Sequence, residues 1–78
     1  MTEQRNLWEI SREIRRDWKN PYFGALPYMD AMSTLNGIDD NYFEVAARSI
    51  VLYFLSNATG WRGEVAKRVK KELRGMLK

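Results

Sequence analysis

The sequence of 78 residues contains no cysteine and no histidine. Without cysteine there is no disulfide, no thiolate nucleophile and no Cys-bearing zinc site. Without histidine the side chain that titrates near neutral pH is missing. The most-used routes to catalysis and to transition-metal binding are therefore closed. Long apolar runs are also missing. The longest uncharged stretch, Ser49 to Trp61, falls short of the roughly 20 apolar residues that a bilayer span needs. It reads as a buried helix, and no membrane partner is expected. Met1 to Asn6 is polar, which predicts no secretory signal and a cytoplasmic location. Asn57-Ala58-Thr59 fits the glycosylation pattern, but in a chain without a secretion signal it reads as a chance match.

What is present suits one globular domain spanning 1–78. At 45% hydrophobic content and a net charge of +3, the chain is too apolar and too balanced for disorder. So short a chain buries only roughly 60% of its unfolded surface, which keeps its stability margin thin.

Apolar spacing predicts an all-α domain, a compact bundle of three main helices and one short helix. The first runs over about 4–18, with Leu7, Ile10, Ile14 and Trp18 at steps of three and four. It ends near Asn20 because Pro21 disfavours helical geometry before it, and Arg16 and Lys19 suit its last turn. A loop from Asn20 to Pro27 follows, and Pro27 fits the first turn of a short helix over about 27–36. Asn36-Gly37 would cap that helix. The third helix, about 39–57, is expected to start at Asp39 with an Ile38–Phe43 staple and to form the centre of the domain. Thr59 would cap a fourth helix over about 60–77, striped by Trp61, Val65, Val69, Leu73 and Met76. In that reading Gly60 frees the turn and Gly63 lets a neighbouring helix come close. No segment alternates with a period of two over a useful length, so no strand is expected.

The third helix has an unusual outer side. Val45, Ser49, Leu52 and Ser56 share one face at helical spacing, and the face carries no charge. Either the chain covers this helix on both sides, or the face meets another copy or another protein.

Charge is unevenly distributed. Arg62 to Lys78 sums to +5 and the rest of the chain to −2, with four acids and no base between Asn20 and Ala47. Lys67, Lys70, Lys71, Arg74 and Lys78 fall in one sector of the last helix. Such a row could neutralise phosphates, meet another anionic partner, or simply stay solvated. Trp8, Arg12, Arg15 and Lys19 form a second basic strip on the first helix. There Trp8 either stacks on a base or lies beneath Arg12 at the core edge. Glu9–Arg12 and Glu13–Arg16 are spaced as pairs on a wet helix.

Other chemistry is thin. Asp39, Asp40 and Glu44 are the densest carboxylates, but their spacing is not that of a calcium loop, and no metal is expected. No catalytic residue, cofactor or small-molecule substrate is expected of so small a helical domain. Gly60-Trp61-Arg62-Gly63 is too short for a phosphate-binding loop, although N–H groups and Arg62 at that helix start could hold an anion.

Three stretches resemble small uncharacterised proteins encoded by bacteriophages and prophages. They are Ala47 to Ala58, Trp61 to Leu73, and Ile10 to Trp18 with Pro27-Tyr28-Met29-Asp30-Ala31-Met32. The resemblance spans about Leu7 to Leu77. It implies a phage-derived protein in the host cytoplasm and brings no activity, so no functional residue is carried over. Two expectations follow from the residues. One is a non-enzymatic binding or adaptor protein acting by protein–protein contact through Val45, Ser49, Leu52 and Ser56, as a homodimer or with another protein. The alternative is a basic nucleic-acid-binding accessory protein using Lys67 to Lys78 with Trp8, Arg12 and Arg15.

Overall fold

The computed structural model describes residues 5–78. α1 (Leu7–Asp17) starts after Asn6, whose backbone N–H donates to the Glu9 carboxylate at 2.9 Å. Glu9 thus serves the helix start rather than pairing with Arg12. Leu7, Ile10 and Ile14 are buried, as their spacing requires. Ser11 is buried among them and donates its hydroxyl to the Met29 carbonyl at 2.9 Å, which removes the penalty for a polar group there. The helix stops at Asp17, so Lys19 lies beyond the last turn, which holds Arg15 and Arg16.

A 3-10 turn (Phe23–Ala25) leads into α2 (Leu26–Met32), with Pro27 in its first turn as expected. α2 ends at Met32, short of the Asn36 expected. The N–H groups of Asn36 and Gly37 instead donate to the Asp40 carboxylate, at 2.8 and 3.1 Å. This local turn competes with helix continuation.

The third segment departs most from expectation. Asn41–Tyr42 (β1) and Val45–Ala46 (β2) pair antiparallel, Asn41 opposite Ala46 and Tyr42 opposite Val45. α3 begins only at Ala47 and runs to Ser56. The fold is therefore mostly helical with a short two-stranded sheet, not all-α. Asp39 caps nothing here, and the Asp40 carboxylate is engaged with the amides before it. The staple does not form either: Ile38 sits at the core edge while Phe43 is 85% exposed at the hairpin tip. Phe43 takes a positive φ of 55°. Glycine is the ordinary residue at such a hairpin position, and the strain on a bulky residue is on the order of 1–3 kcal/mol.

α4 (Glu64–Met76) also starts late. Gly63 precedes it at φ 109°, a conformation that L side chains rarely adopt. Gly63 is required for that backbone shape, not for close approach, because a Cβ there would meet nothing within 4 Å. Thr59 is not the cap, and Trp61 belongs to the preceding loop. Ala66, Val69, Leu73 and Met76 form the buried stripe of the helix.

α1 packs against α4 and α2, and α2 packs against α3. α3 also reaches the ends of α1 and α4: Phe54 lies edge-on to Trp18 at 6.4 Å, and Arg48 donates to the Leu77 carbonyl at 3.1 Å. Trp61 reaches into the core from its loop and is 2% exposed. Its ring stacks on Trp18 at 5.8 Å and 15°, with Phe54 edge-on at 6.3 Å. Trp61 Nε1 donates to Asp17 at 2.8 Å, so the indole is both packed and satisfied.

Candidate functional site

α4 carries two chemically different flanks. On one, Arg5 donates to Glu72 through Nη2 at 2.6 Å and Nε at 3.0 Å. Arg5 Nη1 lies 2.8 Å from one Glu13 oxygen, and Arg68 pairs with the other. The Arg68 hydrogen bond, followed by that from Arg5, holds the Glu13 carboxyl below its usual range against the opposing effect of burial. Charge on this flank is internally neutralised, and Glu13 serves residues distant in sequence rather than the expected Arg16.

The other flank is unbalanced. Arg62, Lys67, Lys70, Lys71 and Arg74 line an open cleft of about 660 Å³ floored by Trp61 and Ala66. Among the described residues, no carboxylate lines it. None of these five cations takes part in an ion pair among the described residues. Lys70 is the innermost of them. Its Nζ donates to the Trp61 carbonyl at 2.7 Å and lies 5.9 Å from the centre of the Trp61 ring. Burial, then the nearby charges of Arg74 and Arg62, pull its pKa below the usual lysine value. A cluster of like charges is electrostatically strained, and a bound anion relieves it.

Four of the five α4 residues singled out from the sequence thus come together: Lys67, Lys70, Lys71 and Arg74. Lys78 is exposed past the helix end and does not line the cleft. The residues of the α1 strip are elsewhere. Trp8 and Arg12 line a separate groove of about 370 Å³ that also holds Glu9 and Glu13 and shares no residue with the cleft. Arg12 lies over the Trp8 ring at 5.6 Å. Arg15 pairs with Asp30 of α2. Trp8, Arg12 and Arg15 therefore do not line the cleft that Lys67, Lys70, Lys71 and Arg74 share.

The uncharged face is also rearranged. Val45 sits on β2, so only Ser49, Leu52 and Ser56 remain on the helix. Ser49 is half-buried, while Leu52 and Ser56 are exposed, and the Ser56 hydroxyl donates to the Leu52 carbonyl at 3.1 Å. Tyr53 adjoins them, exposed, with its ring 5.5 Å from that of Tyr28. The chain itself leaves Leu52 half uncovered, at 52% exposure.

Sequence spacing did not place Trp61 at the cleft floor, because the periodic pattern assigned it to the helix stripe. The available signal was its position between Gly60 and Gly63. Among the described residues, no group of three or more Asp or Glu side chains is arranged to hold a metal ion. No helix among them is long and apolar enough to cross a membrane. No protein-family model matches the chain, and comparisons with the curated proteins and with the solved structures gave no match.

Proposed function

We propose that this protein is a small non-enzymatic binding module that grips nucleic acid by its phosphates, through Arg62, Lys67, Lys70, Lys71 and Arg74. The observation carrying this reading is five cations around one cleft that no carboxylate among the described residues lines. Exposed cations that serve only solubility are normally interspersed with acids, as on the Arg5–Glu72–Glu13–Arg68 flank.

The contacts favour phosphate over base. Trp61 has Trp18 stacked on its ring, Phe54 at its edge and Lys70 above it, so it offers no free face to a base. Trp8 lies beneath Arg12. Stacking platforms for single strands need open aromatic faces. The binding is therefore salt-sensitive and indifferent to base sequence. A phage- or prophage-encoded protein in the host cytoplasm fits such a role.

Titration of fluorescent oligonucleotides at low and moderate salt tests the reading. Two unrelated duplex sequences are expected to bind alike, and Lys67→Glu with Lys71→Glu to abolish binding. Strong sequence preference, or binding that survives the charge reversal, would overturn it.

A second reading, contact with a partner protein through α3, is supported by the half-exposed Leu52 and Tyr53 on an uncharged face. Light scattering and Leu52→Glu test it. A monomer at high concentration that is unaffected by the substitution removes its homodimeric form.

A further inference from the structure

The molecule has a second unbalanced region, of opposite sign. The β1–β2 hairpin carries Phe43 at its tip, 85% exposed, with its ring against Tyr42 at 4.8 Å. Glu44 is exposed beside it and has no ion-pair partner among the described residues. Asp39 is 90% exposed, with only a loose 3.8 Å contact to Arg48. No base occurs between Asn20 and Ala47. The hairpin thus carries an exposed aromatic tip with Glu44 beside it and Asp39 at its base. Phe43 gains little burial from its own chain and holds a strained φ.

The α4 cleft is of complementary charge. It has a rim of unpaired cations and room for a phenyl ring above the buried Trp61 and Ala66. The hairpin lies outside the cleft of its own chain. We infer that the hairpin of one copy docks in the α4 cleft of a second copy, with Phe43 among its cationic side chains and Asp39 and Glu44 facing Lys67 and Lys71. This contact is head-to-tail, so it closes as a reciprocal pair or a ring where the rotation allows and otherwise propagates. It uses the cleft assigned above to phosphates, so a polyanion and a second copy exclude one another. The self-contact nevertheless stands without nucleic acid and is tested without it.

Sedimentation velocity on the purified chain is the test, run over rising protein concentration at low and high salt. The wild type is expected to self-associate at low salt and to dissociate at high salt, where charge attraction is screened. Phe43→Gly removes the ring and suits the positive φ, so the fold survives. Its self-association is expected to weaken by at least about tenfold, as for loss of an interface anchor. The exposed pair Lys67→Glu and Lys71→Glu is expected to do the same. An equimolar mixture of the two variants is expected to form a one-to-one complex, because one retains the hairpin and the other the cleft. A monomeric wild type, Phe43→Gly that assembles normally, or a mixture that stays monomeric would each overturn the inference. Association abolished by Leu52→Glu but not by Phe43→Gly would move the contact to α3 and overturn it equally. Loss of self-association with oligonucleotide binding intact would leave the phosphate reading standing alone.

Discussion

Lys70 holds its ammonium 5.9 Å from the centre of the Trp61 ring and donates to the Trp61 carbonyl at 2.7 Å. This pair joins α4 to the loop before it and places a desolvated cation inside the candidate binding cleft. Its neighbours Arg74 and Arg62 add repulsion. The cleft is therefore a place where charge is held at some disadvantage until an anion arrives.

The pH dependence follows from that. Lys70 has a pKa lowered from 10.5, chiefly by burial. As pH rises toward 10.5, the folded state loses this proton before the unfolded state does. Stability gains through that window, whereas anion binding weakens. An NMR titration of the Lys70 side chain should show its pKa rising when inorganic phosphate is added. A pKa that phosphate leaves in place would contradict occupation of the cleft.

Trp61 should dominate stability. Trp61→Ala is expected to cost about 3–5 kcal/mol, most of the stability of a domain this small. Trp61→Phe keeps an aromatic ring near Trp18 and Phe54 but loses the 2.8 Å bond to Asp17. It should cost less, and urea midpoints of the two variants would show the order. Equal losses would mean that the indole packing is not the principal contribution.

Acid should loosen the α1–α4 contact. Glu13 has a pKa lowered from 4.5, first by Arg68. Its stabilisation is present above 4.5 and is lost as pH falls through the lower folded value. Glu13→Gln should cost about 1 kcal/mol near neutral pH, in the range of a partly exposed ion pair, and flatten the acid limb. Thermal melts between neutral and acid pH measure this, and a variant with an unchanged acid limb would contradict it.

Two turn positions should respond with opposite signs. Phe43→Gly relieves a positive φ at an exposed site and should stabilise by about 1 kcal/mol. Gly63→Ala forces an L side chain into φ 109° and should destabilise by about 1–2 kcal/mol, although space is open around it. Denaturant melts of the two variants check both signs, and a destabilised Phe43→Gly would show that the Phe43 turn is not strained.

The helical faces of this fold were legible because burial follows spacing. Leu7, Ile10 and Ile14, and Val69, Leu73 and Met76, are buried where their periodicity put them. The hairpin was not legible. Two-residue strands are too short to show alternation, and the Asn41–Ala46 run continues smoothly into the α3 pattern. Asp39 was read as an N-cap because acids favour that position, but the helix starts only at Ala47, and the carboxylate of the neighbouring Asp40 accepts from Asn36 and Gly37 behind it. The row Lys67, Lys70, Lys71 and Arg74 was visible on a helical projection. Its separation from Trp8 and Arg12 was not, because it depends on which flank of α4 packs on α1. Arg68 and Glu72 decide that by bonding to Glu13 and Arg5.

The most direct measurement is the salt dependence of duplex binding, compared between the wild type and Lys67→Gln/Lys71→Gln/Arg74→Gln. The wild type should show log K falling linearly with log salt, at a slope of about −0.9 for each phosphate neutralised, and the variant a slope shallower by about 2–3. Absence of binding at low salt, or identical slopes for the two proteins, would contradict phosphate recognition by the α4 cleft.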